Sequence, residues 1–266
     1  AVRAPALVLG LLTVPATAFM AGALFNRRVG LLAAAVTAVT LWPVHLSHVG
    51  FRAVSLPLTL ALAIGFLWRG LRRGRTLDYA LAGLCYGACV YTYLAARFTP
   101  IPLGLLALGL LWPPARLPRP EWRKLALFAG IALAVAAPML ATLAAQPGSL
   151  GERSGQVSVF NPAISGGDTW GTLARHTVRA LGAFFLRGDR IPRHNLPWRP
   201  IFDPALALAF LLGLVVAWRK RGAGCFVLAW TAAMWLPTIL AVDAPHRLRG
   251  AGVLPVLLVL PALGLD

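Results

Sequence analysis

The chain has 266 residues, of which 59% are hydrophobic and 12% are charged, whereas an ordinary globular domain carries about 25% charged residues. This composition excludes a water-facing globular domain and indicates a lipid environment. The formal net charge is +17, so the location of the 25 Lys and Arg residues decides between a nucleic-acid partner and a membrane.

Nine runs free of charged residues follow one another along the chain, and most reach the roughly 17–25 residues that a bilayer crossing needs. Three runs are slightly short, but Arg and Trp side chains at their ends can extend the span. The pattern predicts an all-α fold, a polytopic transmembrane helical bundle of about nine membrane-spanning helices. The helices are expected near residues 4–26, 29–51, 53–68, 79–96, 98–115, 125–145, 204–218, 222–242 and 250–265.

The basic residues fall between these runs and favour one side. Thirteen lie in one set of alternate connections, and five lie in the short connections of the other set. By the positive-inside rule, the N-terminus faces outward and the C-terminus faces the cytoplasm. The expected location is the cytoplasmic (inner) membrane as a multi-pass protein, with membrane lipid and no nucleic acid as a partner.

The remaining seven Arg residues belong to one long polar segment, 146–203, which the same parity places outside as an extracytoplasmic loop. Residues 169–186 of this segment have apolar side chains at helical spacing with basic side chains between them, which predicts a short amphipathic helix. An interfacial helix and a plain surface helix fit this pattern equally well. The apolar positions are Leu173, Thr177, Ala180 and Phe184, and the basic ones are Arg175, His176 and Arg179.

Polar residues near the expected outer ends of the helices could form stripes. His45, His48 and Arg52 are spaced i, i+3 and i+7, so they share one face if the second helix continues through Gly50. They could bind a ligand, or Arg52 could reach the headgroups while the two His residues satisfy a helix end. No metal site is predicted, because neither a carboxylate nor a third His lies near this His pair in the sequence.

A second stripe comprises Tyr86, Tyr93 and Arg97, at i, i+7 and i+11. A Tyr belt at the membrane interface is the alternative interpretation. The segment 243–249 packs four ionisable groups into one short turn, in which Asp243 and Arg247 would pair if the turn were helical. Arg247 and Arg249 offer planar guanidinium groups suited to a phosphate, although an interfacial anchor also fits them.

Several segments, in this order, resemble the GT-C glycosyltransferases of the protein O-mannosyltransferase and aminoarabinose-transferase kind, especially their bacterial multi-pass members. They extend over nearly all of the chain. They are RAP (3–5), LTVPAT (12–17), LFNRR (24–28), HLSHVGFRA (45–53), YTYLAAR (91–97), QVSVFN (156–161), RGD (187–189), RHNLP (193–197) and DAPHRLR (243–249).

This resemblance implies transfer of a sugar from a polyprenyl-phosphate donor to a protein, lipid or glycan acceptor outside the cytoplasmic membrane. In that family a first helix and an outer loop with the catalytic carboxylate precede the segment that begins here. The chain begins with Ala and ends in an apolar run, so it is expected to be a fragment that is inactive alone, and no catalytic residue is assigned within it. No cofactor is assigned, and a requirement for a divalent cation stays open.

The implied chemistry assigns expected roles to the polar residues. Arg247, Arg249, Arg52 and Arg97 are expected to bind the donor phosphate. The sugar or the acceptor is expected to contact His45, His48, Tyr93, His246 and Asp243. One alternative is a multi-pass transporter or flippase of a lipid-linked or anionic solute, although no paired half-sequences are visible. Another is a lipid-linked sugar polymerase or ligase, which would share the donor.

Overall fold

The computed structural model describes residues 3–111, 121–146 and 158–266, and its fold is all-α. Short 3₁₀ turns, Arg52–Val54 and Leu94–Phe98, lie just before α4 and α6. The longer helices are α1 (Ala4–Leu24), α2 (Arg27–Val39), α3 (Leu41–Val49), α4 (Ser55–Arg73), α5 (Thr76–Cys89), α6 (Pro100–Leu111), α7 (Trp122–Ala145), α8 (Thr169–Gly182), α9 (Pro204–Arg219), α10 (Ala223–Ile239) and α11 (Ala251–Leu265, in three consecutive pieces).

Local sequence signals define several of these helix ends. Asn26 accepts a hydrogen bond from the Val29 N–H and so caps α2, and Asp168 caps α8 through the Gly171 N–H in the same way. Asp203 accepts the first N–H groups of α9. Gly50 and Gly74 end α3 and α4 with φ of 79° and 66°, a backbone conformation that costs glycine little.

Several helices are long and apolar enough to cross a bilayer, so the chain is a multi-pass helical membrane protein. Within the described ranges, four qualify by themselves: α1, α4 with its 3₁₀ turn, α6 with its 3₁₀ turn, and α7. The bent pair α2 and α3 makes a fifth if it is one span. Helices α9, α10 and α11 are apolar but shorter.

The burial of these helices shows which of them lie on the outside of the bundle. Only 11% of the most apolar 18-residue stretch of α7 is buried, against 67% for α4. Leu133 on α7 is 62% exposed, and lipid is the solvent that tolerates such a surface. Helix α11 lies inside the bundle instead, because Leu254, Leu257 and Leu260 are almost completely buried.

The helix predicted over residues 29–51 is not continuous, because the chain bends by 56° between α2 and α3. Thr40 adopts an extended conformation at the break. Pro43 explains it, since a proline ring in a continuous helix would clash with the carbonyl of Val39. Helix α3 then ends at Val49, so Arg52 lies beyond Gly50 and the helical stripe of His45, His48 and Arg52 does not form.

The predicted helix over residues 79–96 is also interrupted. Helix α5 ends at Cys89, and residues 90–93 form turns stabilised by hydrogen bonds such as that from the Thr92 hydroxyl to the Cys89 carbonyl. The run Val90-Tyr91-Thr92-Tyr93 consists of β-branched and aromatic residues, which lose side-chain freedom in a helix. Tyr93 is extended, so the stripe of Tyr86, Tyr93 and Arg97 on one helix is wrong.

A helix was predicted over residues 169–186, and the structure confirms it over Thr169–Gly182 as α8. This helix packs against α10. The His176 Nδ1 atom lies 3.1 Å from the Ile239 carbonyl oxygen, and the Trp235 indole N–H donates to the Ala180 carbonyl at 3.2 Å. His176 is buried, so its assignment to the polar side was wrong. The outward side carries exposed Trp170 and Val178 beside the exposed Arg175 and Arg179.

Small residues allow α5 and α7 to approach closely. A Cβ atom on Gly83 would lie 2.6 Å from the Phe128 carbonyl oxygen, and one on Gly87 would lie 2.6 Å from that of Ala132. Such spacing of small residues lets helix backbones pack together within a membrane. This contact fixes α7 beside the turn at residues 90–93, where the candidate site begins.

Candidate functional site

A cavity of about 750 Å³ lies between α5, the turn that follows it, and α7. Its wall is mostly apolar, with Phe128, Leu133 and Met139 from α7. Arg52, Tyr93 and Arg97 contribute polar groups to the same cavity. A space of this size with an apolar wall and a few convergent polar groups is typical of a ligand site.

A second cavity of about 220 Å³ adjoins the first, and the two share Tyr93, Leu94 and Arg97. Its lining adds Arg249 and Ser158. Burial raises the pKa of the Tyr93 hydroxyl, and the positive charges of Arg249 and Arg52 oppose this rise. Three of the four arginines expected to bind phosphate, Arg52, Arg97 and Arg249, therefore lie around one pair of adjoining cavities, although no single helix face holds them.

Two loops that are distant in sequence, around residues 189–194 and 246–249, meet next to Arg249. Their buried polar side chains form a group that we call the outer cluster, namely Asp189, His194, His246 and Arg247. Asp189 accepts backbone N–H bonds from Ile191 at 2.8 Å and from Arg247 at 3.0 Å. The rings of His194 and His246 lie 4.4 Å apart. The Asp189 and His194 side chains are each only 1% exposed, so the cluster connects the two loops inside the protein.

Burial and charge set the protonation of the outer cluster. Burial raises the pKa of Asp189, but contacts with His194 and with the N–H groups of Ile191 and Arg247 outweigh it and leave the pKa lowered. Burial, then Arg249 and His194, lower the pKa of His246 to about 4, so its imidazole is neutral near pH 7. Burial lowers the pKa of Arg247 to about 10, which leaves this guanidinium charged near pH 7.

Three members of the outer cluster could hold a metal ion. One ligand atom from each of Asp189, His194 and His246 lies within 4.8 Å of the others, and neither ring nitrogen of His194 has a hydrogen-bond partner among the residues that the structure describes. The distance from His194 Nδ1 to Asp189 Oδ2 is 3.4 Å. This is close to the separation of about 3.3 Å between two ligand atoms of a tetrahedral zinc ion. Two imidazoles and a carboxylate form a donor set suited to Zn²⁺. The sequence pattern did not predict this site.

The predicted ion pair between Asp243 and Arg247 does not form. The turn at 243–249 is not helical: Asp243 has a φ of 63° and accepts a hydrogen bond from Arg190 at 2.7 Å. Arg247 is 1% exposed and donates to the Arg199 carbonyl at 2.6 Å. Arg247 lines neither of the two cavities, so this placement favours a structural role over the expected contact with phosphate.

The expected sugar-contacting residues are only partly brought together. The His45 Nε2 atom lies 3.4 Å from the Arg193 carbonyl oxygen, in the loop that carries His194. His246 lies behind Arg249 in the outer cluster, and Tyr93 lines both cavities. His48 is exposed at the end of α3, and Asp243 is exposed beside Arg190.

Sequence reasoning missed Asp189, His194 and Arg193 as candidate functional residues. Phe51 connects this loop to the end of α3, because its ring lies 6.1 Å from that of His194 and the Arg193 guanidinium lies 5.6 Å from its centre. Both RGD (187–189) and RHNLP (193–197) were recognised only as segments of resemblance. The ionisable residues grouped in this turn-rich loop were the sequence signal that could have identified these three residues as candidates.

Comparisons with known proteins support the fold alone. No family model and no curated protein matches the sequence. Among solved structures, ArnT from Cupriavidus metallidurans in the apo state is similar, with a TM-score of 0.59 and 15% sequence identity, over 99% of this chain and 45% of that chain. The chain has the ArnT fold. The resemblance to the aminoarabinose-transferase kind of GT-C enzyme is therefore confirmed at the level of the fold. The chain spans less than half of the length of ArnT.

Proposed function

We propose that the chain is the core of an integral-membrane glycosyltransferase that transfers a sugar from a polyprenyl-phosphate donor to an acceptor on the extracytoplasmic side. The observation that carries the proposal is the convergence of Arg52, Arg97 and Arg249 on two adjoining cavities with mostly apolar walls. The resemblance to GT-C glycosyltransferases implies a polyprenyl-phosphate donor, and the fold shared with ArnT supports this donor class here.

The chemistry of the donor matches the two parts of the site. A polyprenyl chain is apolar and would lie along the α7 wall of the larger cavity. The phosphate becomes the leaving group, so the site must stabilise charge that develops on its oxygens, which fixed guanidinium groups do well. An acceptor hydroxyl attacks the anomeric carbon as the bond to the phosphate breaks, and a general base removes the hydroxyl proton. We assign that base to no residue of this chain.

The roles of the remaining expected residues follow from their positions. Tyr93 would contact the head group between the two cavities, and His45, His48, His246 and Asp243 would lie on the approach of the sugar or acceptor. Arg247 would act on the phosphate only indirectly, by positioning the loop that presents Arg249. The acceptor would be a protein, lipid or glycan of the cell envelope.

The proposal includes a membrane topology. We place the N-terminus and the loop 146–203 outside and the C-terminus in the cytoplasm, with nine crossings in which the short helices α9, α10 and α11 take part. The exposed apolar side chains and arginines of α8 would then rest at the outer membrane interface.

The test measures donor binding and sugar transfer by the full-length protein in nanodiscs, for wild type, Arg97→Gln and Arg249→Gln. Each variant removes the positive charge and shortens the side chain but keeps a polar group at its end. Because a hydrogen bond to a charged group contributes on the order of 1.5–3 kcal/mol, binding of a labelled polyprenyl phosphate should weaken by about 10- to 150-fold. Arg179→Gln on α8 is the matched control, since Arg179 is an exposed cation that lines neither cavity.

Unchanged donor affinity in both cavity variants, or an equal loss in the control, contradicts the proposal. Movement of a lipid-linked solute across proteoliposomes without any transfer of sugar would instead favour the transporter. A panel of acceptors separates transfer to protein or lipid from polymerisation of a glycan.

A further inference from the structure

A further cavity, of about 520 Å³ and lined by four arginines, lies between α1, α2 and α4. It is at the far end of α4 from Arg52, because Arg69, Arg72 and Arg73 line it together with Arg27 from the start of α2. The α1 wall of this cavity is apolar and includes Phe19. It is therefore separate from the proposed sugar-transfer site.

Two of the four guanidinium groups around this cavity, those of Arg69 and Arg72, are held in position. Arg69 donates twice to the buried Asp78 carboxylate, and its guanidinium also lies 5.0 Å from the centre of the Phe19 ring. Arg72 donates to the Leu24 carbonyl at 2.7 Å, at the C-terminal end of α1. Their positions are thus fixed by the fold.

The cavity has a surplus of positive charge. Asp78 neutralises Arg69, whereas Arg27, Arg72 and Arg73 form none of the ion pairs seen in the described ranges. No carboxylate among the described residues lines the cavity. The nearby Asp266 carboxylate lies 3.3 Å from Arg28, which is outside the lining. An anion is the ligand that this charge favours.

The shape of the cavity favours a lipid anion over a free one. A Cβ atom on Gly22 would meet nothing within 4 Å, so α1 leaves open space there. Leu31 of α2 lines the cavity and is 60% exposed, so an apolar surface continues from the cavity along α2. A ligand bound to the arginines can therefore extend apolar chains along α1 and α2.

We propose that this cavity binds the phosphodiester head group of an anionic phospholipid. The arginines contact the phosphate oxygens, and the acyl chains follow the apolar surface beside Gly22 and Leu31. Basic pockets between helices at the cytoplasmic face suit such head groups, and this end of the bundle carries the basic connections. The inference needs only the membrane placement of the helices and does not rest on sugar transfer.

The test uses the full-length protein in nanodiscs of phosphatidylcholine, into which phosphatidylglycerol is titrated, with native mass spectrometry to count retained anionic lipid. The double variant Arg27→Gln/Arg73→Gln should weaken retention by about tenfold or more, because two head-group contacts are lost. Gly22→Leu should weaken it similarly with no change in charge, because the side chain fills the open space. The matched control, Arg75→Gln/Arg123→Gln, removes the same charge from two residues outside the cavity lining, in the connection after α4 and at the start of α7, and should change retention less than twofold.

Three outcomes would overturn the proposal. The control could weaken retention as much as Arg27→Gln/Arg73→Gln, which would indicate diffuse attraction to the membrane surface. Retention could be unchanged in Gly22→Leu, which would place the lipid elsewhere. Inorganic phosphate added at 50-fold excess over the lipid could displace it completely, which would identify a site for a free anion. Retention that survives phosphate and depends on both the arginines and Gly22 supports the lipid.

Discussion

Asp189→Asn is expected to destabilise the outer loops, because the Asp189 carboxylate connects the segment 187–199 to the turn at 243–249. Its Oδ1 atom accepts the Ile191 N–H and its Oδ2 atom accepts the Arg247 N–H. Asn keeps one acceptor oxygen but turns an amide NH₂ toward one of these donors. It also removes the negative charge beside the Arg247 guanidinium, whose residue is 1% exposed.

The magnitude follows from these contacts. A hydrogen bond to a charged group contributes about 1.5–3 kcal/mol. Because Asn retains one of the two acceptor atoms, we expect the loss of one such bond, about 1.5–3 kcal/mol. For a protein of this size such a loss lowers Tm by roughly 3–12 °C.

The pH dependence provides a separate check. The pKa of Asp189 is lowered in the folded protein, so its contribution is present above the unfolded pKa, near 4, and is lost as pH falls through the folded value. The difference in Tm between wild type and Asp189→Asn should therefore be constant from about pH 6 to 8 and shrink below about pH 4.

The assay is thermal unfolding of the full-length protein in detergent with EDTA, which keeps metal ions out of the comparison. Asp168→Asn is the control, because Asp168 is an exposed helix cap and Asn caps as well as Asp does. If Asp189→Asn unfolds at the same temperature as Asp168→Asn at pH 7, the connecting role of Asp189 is refuted.

Three further predictions test the packing, the membrane placement and the ligand geometry. Gly87→Ala should lower Tm, because the added Cβ atom would lie 2.6 Å from a carbonyl oxygen of α7. Gly104→Ala is the control and should leave Tm unchanged, because its Cβ atom would meet nothing within 4 Å. Equal Tm values for the two variants would contradict the close contact between α5 and α7. Leu133→Arg should reduce membrane integration of α7 at a cost of about 2.5–3.5 kcal/mol, whereas Trp122→Arg at the helix end should integrate normally, as a glycosylation-reporter assay would show. Excess Zn²⁺ should raise the Tm of the wild type but not of His194→Phe, and an equal rise in both would exclude Asp189, His194 and His246 as the binding group.

Local patterns in the sequence were sufficient to predict much of this protein. Charge-free runs of spanning length predict helices because a bilayer demands apolar side chains and internally bonded backbone, and the structure confirms the all-α fold. Arg52, Arg97 and Arg249 do lie around two adjoining cavities, as their expected common role requires. They meet because separate segments of the chain fold together, and not because they share a stripe on one helix.

The tertiary structure decided which polar groups meet. Breaks at Thr40 and at residues 90–93 depend on short-range sterics that apolar periodicity does not register. The second break places Tyr93 in an extended segment and Arg97 in a 3₁₀ turn, so the two do not share one helix face. The outer cluster joins Asp189 to Arg247 across 58 positions of sequence, and it buries Arg247 while Arg249, two residues later, lines a cavity. The sequence by itself determined helices, their lipid affinity and the side with more basic residues, because these are sums over neighbouring residues. The partners of a buried charge depend on contacts between distant segments, and only the folded chain specifies them.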